Sequence, residues 1–365
     1  MRIAIDAREL APKPTGVGRY LTELLRAWAH EPASRAHEFV LCAPAEPDAP
    51  VLAGPGARWV TAPGHGTVWE QWVLPRLLRR VRPDVLFSPA YTSPIWGPTP
   101  VVVAIHDVSF FAQPGSYRPR EGARRRFVTR RAAHRAARVL TISEFSRREI
   151  VRWLGVEADK VEVTYPGVTT LAGTTKASHR PHDDRPTVLY VGSVFSRRHV
   201  PELVAGFTRL AQRHTDVRLE VVGDNRSIPP VDLMAITAAT GLGDRIRVRP
   251  YVSDGELATL YAQATAFAFL SDYEGFGLTP LEALALDIPI VVLDTAVARE
   301  VYGDAARYVT TLDAASVADG LAQVLFDEAA RSRWRDAGRA RVARYSWSAC
   351  AARTLEVLTA CGSRR

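Results

Sequence analysis

The chain has 365 residues, enough for two domains, and its 47% hydrophobic and 24% charged residues are typical of a globular protein. The sequence contains no run of about 18 apolar residues, so no membrane-spanning helix is predicted, and its 3 cysteines lack zinc-site spacing. The formal charge of +8 lies in the first half: residues 1–170 hold 24 basic and 16 acidic side chains, whereas residues 171–365 hold 23 of each. We therefore expect a cytoplasmic protein whose first half meets an anionic partner.

The chain opens with a predicted strand and a glycine-bearing helix start. Residues 2–6 (RIAID) carry an aspartate in their apolar run, which favours a strand over a signal peptide. Gly16 and Gly18 then predict a tight turn before an amphipathic helix. The third glycine of the dinucleotide fingerprint is absent. Such a turn can either hold a phosphate or be purely structural.

His106 and Asp107 stand where a predicted buried strand, PVVVAI, runs out. Strand ends of this kind are typical places for reactive or ligand-binding groups. The alternative is a histidine whose ring is satisfied by a nearby carbonyl.

An arginine-rich helix is predicted over residues 118–138, which hold nine arginines and one acid. On a helical wheel Arg124, Arg131 and Arg135 share one stripe, opposite an inward apolar face. The stripe predicts a surface for an anionic lipid or a phosphorylated acceptor, or else a solvated face of an arginine-rich protein. No aromatic-interleaved pattern or recognition motif supports nucleic acid as the partner.

Residues 171–186 are polar, non-periodic and contain Gly and Pro, so we interpret them as a linker. The strand-turn-helix pattern then restarts, and Arg197 and Arg198 follow the strand VLYVG. Two guanidinium groups just beyond a strand suit a diphosphate, because their planar fork matches phosphate oxygens. As a solvated pair they would have no such role.

Glu274 and Glu282 stand eight residues apart around a glycine loop. A predicted buried strand at residues 266–270 precedes them, and the glycines within residues 275–277 let the backbone approach a ligand closely. Residues 279–282 (TPLE) predict a capping box that starts a helix. Since open α/β sheets bind ligands at the carboxyl ends of strands, this unit predicts an anion site. In the alternative, Glu282 only caps its helix and Glu274 is an exposed loop acid.

These motifs resemble those of the retaining, nucleotide-sugar-dependent glycosyltransferases of family 4 (glycosyltransferase group 1), over nearly the whole chain. The resemblance rests on TGVGRY, IHD, ISEFSRREIVRWLGV and YPGV in the first half, and on YVGSVFSRRH, VVGD, PYVSDGELATLYAQA and EGFGLTPLEALALDIPIVV in the second. It implies an α/β fold of the GT-B type, with two Rossmann-like α/β/α domains facing each other across a cleft. Residues 1–170 would form the acceptor-side domain and 187–345 the nucleotide-sugar domain, with a helix at 346–365 returning to the first domain.

The resemblance also implies a role for each matching position. Glu282 would hold the ribose hydroxyls, and Arg198 with Arg197 would neutralise the diphosphate. Glu274 would contact the transferred sugar and His106 its anomeric region, so His106, Arg198 and Glu274 are the predicted catalytic residues. The other implied donor contacts are Gly16, Gly18, Tyr251, Val252, Gly275, Phe276, Gly277 and Leu278. The chain departs from the family where Lys is usual, at Arg198, and where Asn is frequent, at His199.

The implied reaction moves a hexose, with mannose favoured, from a GDP- or UDP-linked donor to a glycan, lipid-linked or polysaccharide acceptor. The acceptor hydroxyl would attack from the face that the diphosphate leaves, so that the anomeric configuration is retained. The diphosphate would take the proton, with neither cofactor nor metal. Peripheral contact with the inner face of an anionic membrane is a further expectation. Two alternatives stay open: an NAD-dependent sugar-nucleotide enzyme and a non-catalytic nucleotide-sugar-binding protein.

Overall fold

The computed structural model describes residues 1–10, 16–46, 57–169 and 185–363. The chain divides into two compact units. Unit 1 comprises Met1–Ala112, Pro119–Gly167 and Tyr345–Arg365, and unit 2 comprises Gln113–Arg118 and Val168–Arg344. The predicted linker at 171–186 lies outside the described residues, except for its last two positions.

Unit 1 is built on a parallel sheet of seven strands in the order β3-β2-β1-β4-β5-β6-β7. The order reverses between β1 and β4, and ligands of open α/β sheets bind at such a switch point. The strands are β1 Arg2–Asp6, β2 Glu38–Ala43, β3 Ala57–Thr61, β4 Val85–Ser88, β5 Val101–Ala104, β6 Arg138–Thr141 and β7 Val161–Val163.

The helices of unit 1 cover this sheet with the apolar faces that their sequences predict. They are α1 Gly16–His30, α2 Gly66–Val68, α3 Leu74–Val81, α4 Ser109–Ala112, α5 Pro119–Arg135, α6 Glu144–Leu154 and α14 Trp347–Gly362, with a π-helical turn at Trp69–Val73. In α1, Leu21, Leu24 and Trp28 are buried. The predicted tight turn at Gly16 and Gly18 is wrong, because both glycines lie inside the first turn of α1.

The C-terminal helix α14 packs on unit 1, as predicted. The Trp28 indole N–H donates to the carbonyl of Ala351 at 2.9 Å. Leu355 and Leu358 join the core cluster around α1. A Cβ at Gly362 would lie 2.0 Å from the Met1 Cε, so a side chain there would require the flexible Met1 side chain to move.

Unit 2 is built on a parallel sheet of six strands in the order β10-β9-β8-β11-β12-β13. Its switch point lies between β8 and β11. The strands are β8 Thr187–Val191, β9 Arg218–Val222, β10 Ile246–Arg249, β11 Ala266–Phe269, β12 Ile290–Leu293 and β13 Ala306–Val309. The helices are α7 Val200–Ala211, α8 Leu233–Ala239, α9 Asp254–Gln263, α10 Leu278–Leu284, α11 Ala296–Tyr302, α12 Ala314–Phe326 and α13 Glu328–Val342.

The start of α10 differs from the prediction. Gly277, with φ 91°, is the N-cap, and no side chain caps the helix. The left-handed glycine begins the helix earlier than the capping box at residues 279–282 predicts, so that prediction is wrong. Glu282 consequently lies within the helix and is buried.

Both units are α/β layers around parallel sheets, which confirms the predicted fold class. Within the described ranges, no helix combines the length and apolar content needed to span a bilayer.

Candidate functional site

An ion pair joins the two loops at the switch point of unit 2. The segment after β8 carries Arg198, and the segment after β11 carries Glu274. The Arg198 Nε donates to the Glu274 Oε1 at 2.7 Å, and the Ser271 hydroxyl donates to the same oxygen at 2.9 Å. Each charged side chain is only 15% exposed, so the pair is held in a largely dehydrated place. The sequence-predicted Arg198 and Glu274 are therefore brought together.

The charges of this pair hold both groups ionised. Burial disfavours the Glu274 carboxylate, but the positive charges of Arg198 and Arg197 outweigh it and keep the Glu274 pKa below its usual range. Burial likewise opposes the Arg198 cation, and the charge of Glu274 outweighs it and raises the Arg198 pKa. The pair is thus a fixed dipole at ordinary pH.

Two polar atoms beside the pair lack a protein partner. Among the described residues none donates a hydrogen bond to the Glu274 Oε2. The Arg197 Nε donates to the carbonyl of Tyr273 at 3.1 Å, yet its Nη1 is buried without a partner in the described structure. A buried unpaired guanidinium N–H is costly unless a ligand atom satisfies it. The arrangement suits a ligand with an anionic group near Arg197 and a hydroxyl near Glu274.

Glycines shape the floor of this site. A Cβ on Gly192, at φ 146°, would lie 2.6 Å from the Arg198 Nη1, so a side chain there would displace the guanidinium. A Cβ on Gly277 would lie 2.0 Å from the Tyr302 hydroxyl, which donates to the Gly277 carbonyl at 3.0 Å. The close approach of Tyr302 therefore requires glycine at position 277, and the predicted approach of a ligand to residues 275–277 stays a prediction. Three predicted neighbours line the same loop: Gly275 and Phe276 are buried and Leu278 begins α10.

Glu282 is buried inside α10. It is only 8% exposed, and its Oε2 accepts a hydrogen bond from the Tyr261 hydroxyl of α9 at 3.3 Å. Tyr251 and Val252 follow β10, two positions from β8 in the sheet order. Tyr251 is 76% exposed, whereas Val252 is buried.

A cationic histidine beside the arginines was not found by sequence reasoning. His199 bonds Asp272 through Nε2 at 3.1 Å and Glu202 through Nδ1 at 3.4 Å. The bonds to these two carboxylates raise the His199 pKa to about 9, so the ring is charged at neutral pH. Asp272 also accepts a bond from Gln113 at 2.6 Å. The only sequence signal was that His199 departs from the family's frequent Asn.

In unit 1, the predicted His106 lies beside α1. The His106 Nε2 lies 2.8 Å from the Pro89 carbonyl, so Nε2 carries the proton, and burial lowers the His106 pKa. Its ring contacts that of Tyr20 edge-on, with 4.8 Å between ring centroids. Tyr20 follows Gly16 and Gly18 in α1. The carbonyl contact matches the alternative interpretation, while the neutral ring leaves Nδ1 as an acceptor.

Unit 1 also contains a buried charge network, which the sequence analysis did not predict. Arg8 pairs with Asp6 and Glu70, each at 2.7 Å, and both carboxylates are about 2% exposed. The Thr92 hydroxyl donates to Glu70 at 2.5 Å. Asp6 ends β1 and Thr92 follows β4, so the network occupies the switch point of unit 1. An aspartate at the end of the first strand was the available signal.

The predicted basic stripe is partly engaged within unit 1. Arg124 donates to the Thr67 hydroxyl at 2.6 Å, and the guanidinium of Arg131 lies 5.5 Å from the Phe127 ring centroid. Arg135 donates to the carbonyls of Gly97 and Thr99. In the parts of the chain that the structure describes, no three His, Cys, Asp or Glu side chains cluster as metal ligands would.

Solved structures share this architecture over the full chain. The Anabaena protein Alr3699/HepE, solved with UDP-glucose, superposes with a TM-score of 0.74 at 15% identity, covering 99% of this chain and 100% of that one. Sucrose-phosphate synthase from Thermosynechococcus elongatus gives a TM-score of 0.76 at 17% identity, covering 100% of both chains. At these identities the likeness shows the fold, which is GT-B.

Two family models together span almost the whole chain. Residues 14–170 match Glycosyltransferase Family 4, and residues 173–341 match Glycosyl transferases group 1. The chain therefore belongs to glycosyltransferase family 4 (glycosyltransferase group 1) and is a glycosyltransferase. Among curated relatives, O-antigen chain mannosyltransferase B of Escherichia coli is 27% identical over 270 residues, which cover 70% of this chain and 68% of that protein.

Proposed function

We propose that this glycosyltransferase moves mannose from a GDP- or UDP-linked donor to a glycan, lipid-linked or polysaccharide acceptor, with retention of configuration. The observation that carries the proposal is the Arg198–Glu274 pair at the unit 2 switch point, with the unpaired Arg197 Nη1 beside it. The sugar identity is supported by similarity to a mannosyltransferase. No metal or other cofactor enters the proposed reaction.

In the proposed complex the diphosphate lies against Arg197 and Arg198, with the charge of His199 nearby. Glu274 accepts a hydroxyl of the sugar through its Oε2, and Glu282 holds the ribose. The backbone of residues 275–278 meets the sugar and phosphates, and Tyr251 and Val252 meet the base. Because the acceptor hydroxyl attacks from the face that the diphosphate leaves, the departing phosphate oxygen takes the acceptor's proton. The protein positions the reactants and stabilises the charge that develops on the leaving group.

The acceptor belongs to unit 1 in this proposal. Gly16 and Gly18, in the first turn of α1, stay proposed contacts of the donor. The neutral His106 ring, beside the anomeric region of the transferred sugar in this proposal, offers Nδ1 as a hydrogen-bond acceptor. Arg124, Arg131 and Arg135 add positive charge for an anionic acceptor or membrane surface. The NAD-dependent alternative lacks its glycine fingerprint and is not favoured by the family match.

A thermal-shift screen with UDP, GDP, TDP and ADP and their sugars tests the donor. A ligand that binds only the folded chain raises its melting temperature, so GDP-mannose or a UDP-hexose should give the largest shift. The anomeric configuration of the product then reports retention or inversion by NMR. Binding without turnover or hydrolysis of any donor would instead favour the non-catalytic alternative.

A further inference from the structure

A preformed apolar cavity of about 630 Å³ lies in unit 1, away from the residues assigned above except Arg135. It opens between the π-helical turn with α3 and the segment 93–99. Most of its lining surface is apolar, and it includes two large indoles, of which Trp72 is 64% and Trp96 78% exposed. Exposed indoles of this kind favour the boundary between water and hydrocarbon.

Arginines line the same cavity, and none of the described residues that line it is acidic. Arg76, Arg79, Arg82 and Arg135 contribute to the wall. In the described structure Arg76, Arg79 and Arg82 are exposed and none of them forms an ion pair with a carboxylate. Guanidinium groups bind phosphate in a fork geometry, so this rim complements an anionic headgroup.

The cavity is held open by specific hydrogen bonds. Gln71, in the π-helical turn, donates to the Ser93 carbonyl at 3.0 Å and accepts from the Ile95 N–H at 2.9 Å. At the other end of the segment, Arg135 donates to the Gly97 and Thr99 carbonyls. These clamps fix both ends of the loop, so the site needs little ordering when a ligand enters. π-Helical turns are also frequent at functional sites.

We propose that this cavity is a docking site for an anionic membrane lipid. The lipid phosphate contacts Arg76, Arg79 and Arg82, the start of an apolar chain enters the cavity, and Trp72 and Trp96 lie at the bilayer interface. Charge complementarity argues for this occupant over a neutral apolar ligand. Anionic headgroups attract basic residues at the surface, while the apolar contact adds affinity that salt does not screen. The proposal does not depend on which sugar the enzyme transfers.

Flotation with vesicles of phosphatidylcholine alone, or mixed with phosphatidylglycerol, tests the site on the full chain. The protein should bind the mixed vesicles and not the neutral ones. The double variant R76E/R79E should lower vesicle partitioning at least tenfold, since each basic residue near an anionic surface contributes substantially. The matched control R209E/R213E changes the same charge on exposed arginines of unit 2 and should leave most of the binding.

The variant W72A/W96A tests the apolar contact. It should lower partitioning several-fold and make the remaining binding more sensitive to salt, while thermal unfolding confirms that the variant is folded. The proposal is overturned if the wild type does not bind phosphatidylglycerol vesicles, if R209E/R213E loses as much vesicle binding as R76E/R79E, or if W72A/W96A binds vesicles like the wild type.

Inorganic phosphate serves as the soluble probe of the same arginines. A thermal shift with phosphate that R76E/R79E abolishes, without any vesicle binding, would also overturn the lipid assignment.

Discussion

The Arg198 Nε lies 2.7 Å from the Glu274 Oε1, although the two residues are 76 positions apart in the chain. The parallel pairing of β8 with β11 makes this contact, because it places the segments that follow both strands at one edge of the sheet. The Arg198→Ala and Glu274→Ala variants should each lower donor-dependent turnover at least tenfold, or about 1.4 kcal/mol in the barrier. Initial rates with the donor found by thermal shift measure the effect.

Stability must be separated from catalysis in those variants. Removing one partner of a buried ion pair leaves the other charge uncompensated, which costs about 3–5 kcal/mol. Arg198→Lys keeps the charge and restores the family's usual residue, so it should lose less turnover than Arg198→Ala. Near-wild-type rates in folded Arg198→Ala and Glu274→Ala would remove this pair from the active site.

The Gly277→Ala variant should be both less stable and less active. The φ of 91° disfavours any side chain, and the new Cβ would lie 2.0 Å from the Tyr302 hydroxyl. We expect a loss of about 1–3 kcal/mol in the free energy of unfolding. Gly255→Ala is the matched control, because a Cβ at Gly255 meets nothing within 4 Å. The double variant with Tyr302→Phe should recover part of the loss, and no recovery would place the cost in the backbone alone.

The His199 ion pairs predict a loss of stability at alkaline pH. The folded pKa of about 9 exceeds the ordinary 6.5, so the contribution is complete below pH 6.5 and disappears as the pH rises through 9. The melting temperature of the wild type should therefore decrease more between pH 7 and pH 10 than the melting temperature of His199→Gln. His214→Gln serves as the control, since His214 has no carboxylate partner in the described structure. Parallel pH curves for wild type and His199→Gln would contradict the prediction.

His106 predicts the opposite pH dependence. Burial holds its pKa below 6.5, so its contribution to stability is present above that pH and is lost as the pH falls. His106→Gln should flatten this acid dependence and lower turnover at least tenfold. If turnover stays near the wild-type value while the acid dependence flattens, His106 is a structural residue bonded to Pro89 and not a catalytic one.

The sequence by itself determined the alternation of strands and helices, since burial periodicity depends on neighbouring residues only. It also placed Arg197, Arg198 and Glu274 just beyond strands, and Glu282 near the start of the following helix. Local pattern was misleading where a backbone angle decided the outcome, as at Gly277, whose left-handed φ moved the start of α10.

Tertiary structure alone decided which side chains meet. The Arg198–Glu274 contact, the His199–Asp272 contact and the hydrogen bonds from Gln71 to residues 93 and 95 each join residues that periodicity cannot relate. Strand order and loop packing set these distances, and hydrogen bonds and ion pairs act only within a few ångströms. The hydrophobic periodicity of the sequence therefore specifies the strands and helices, whereas the order of the strands in each sheet decides which side chains form the site.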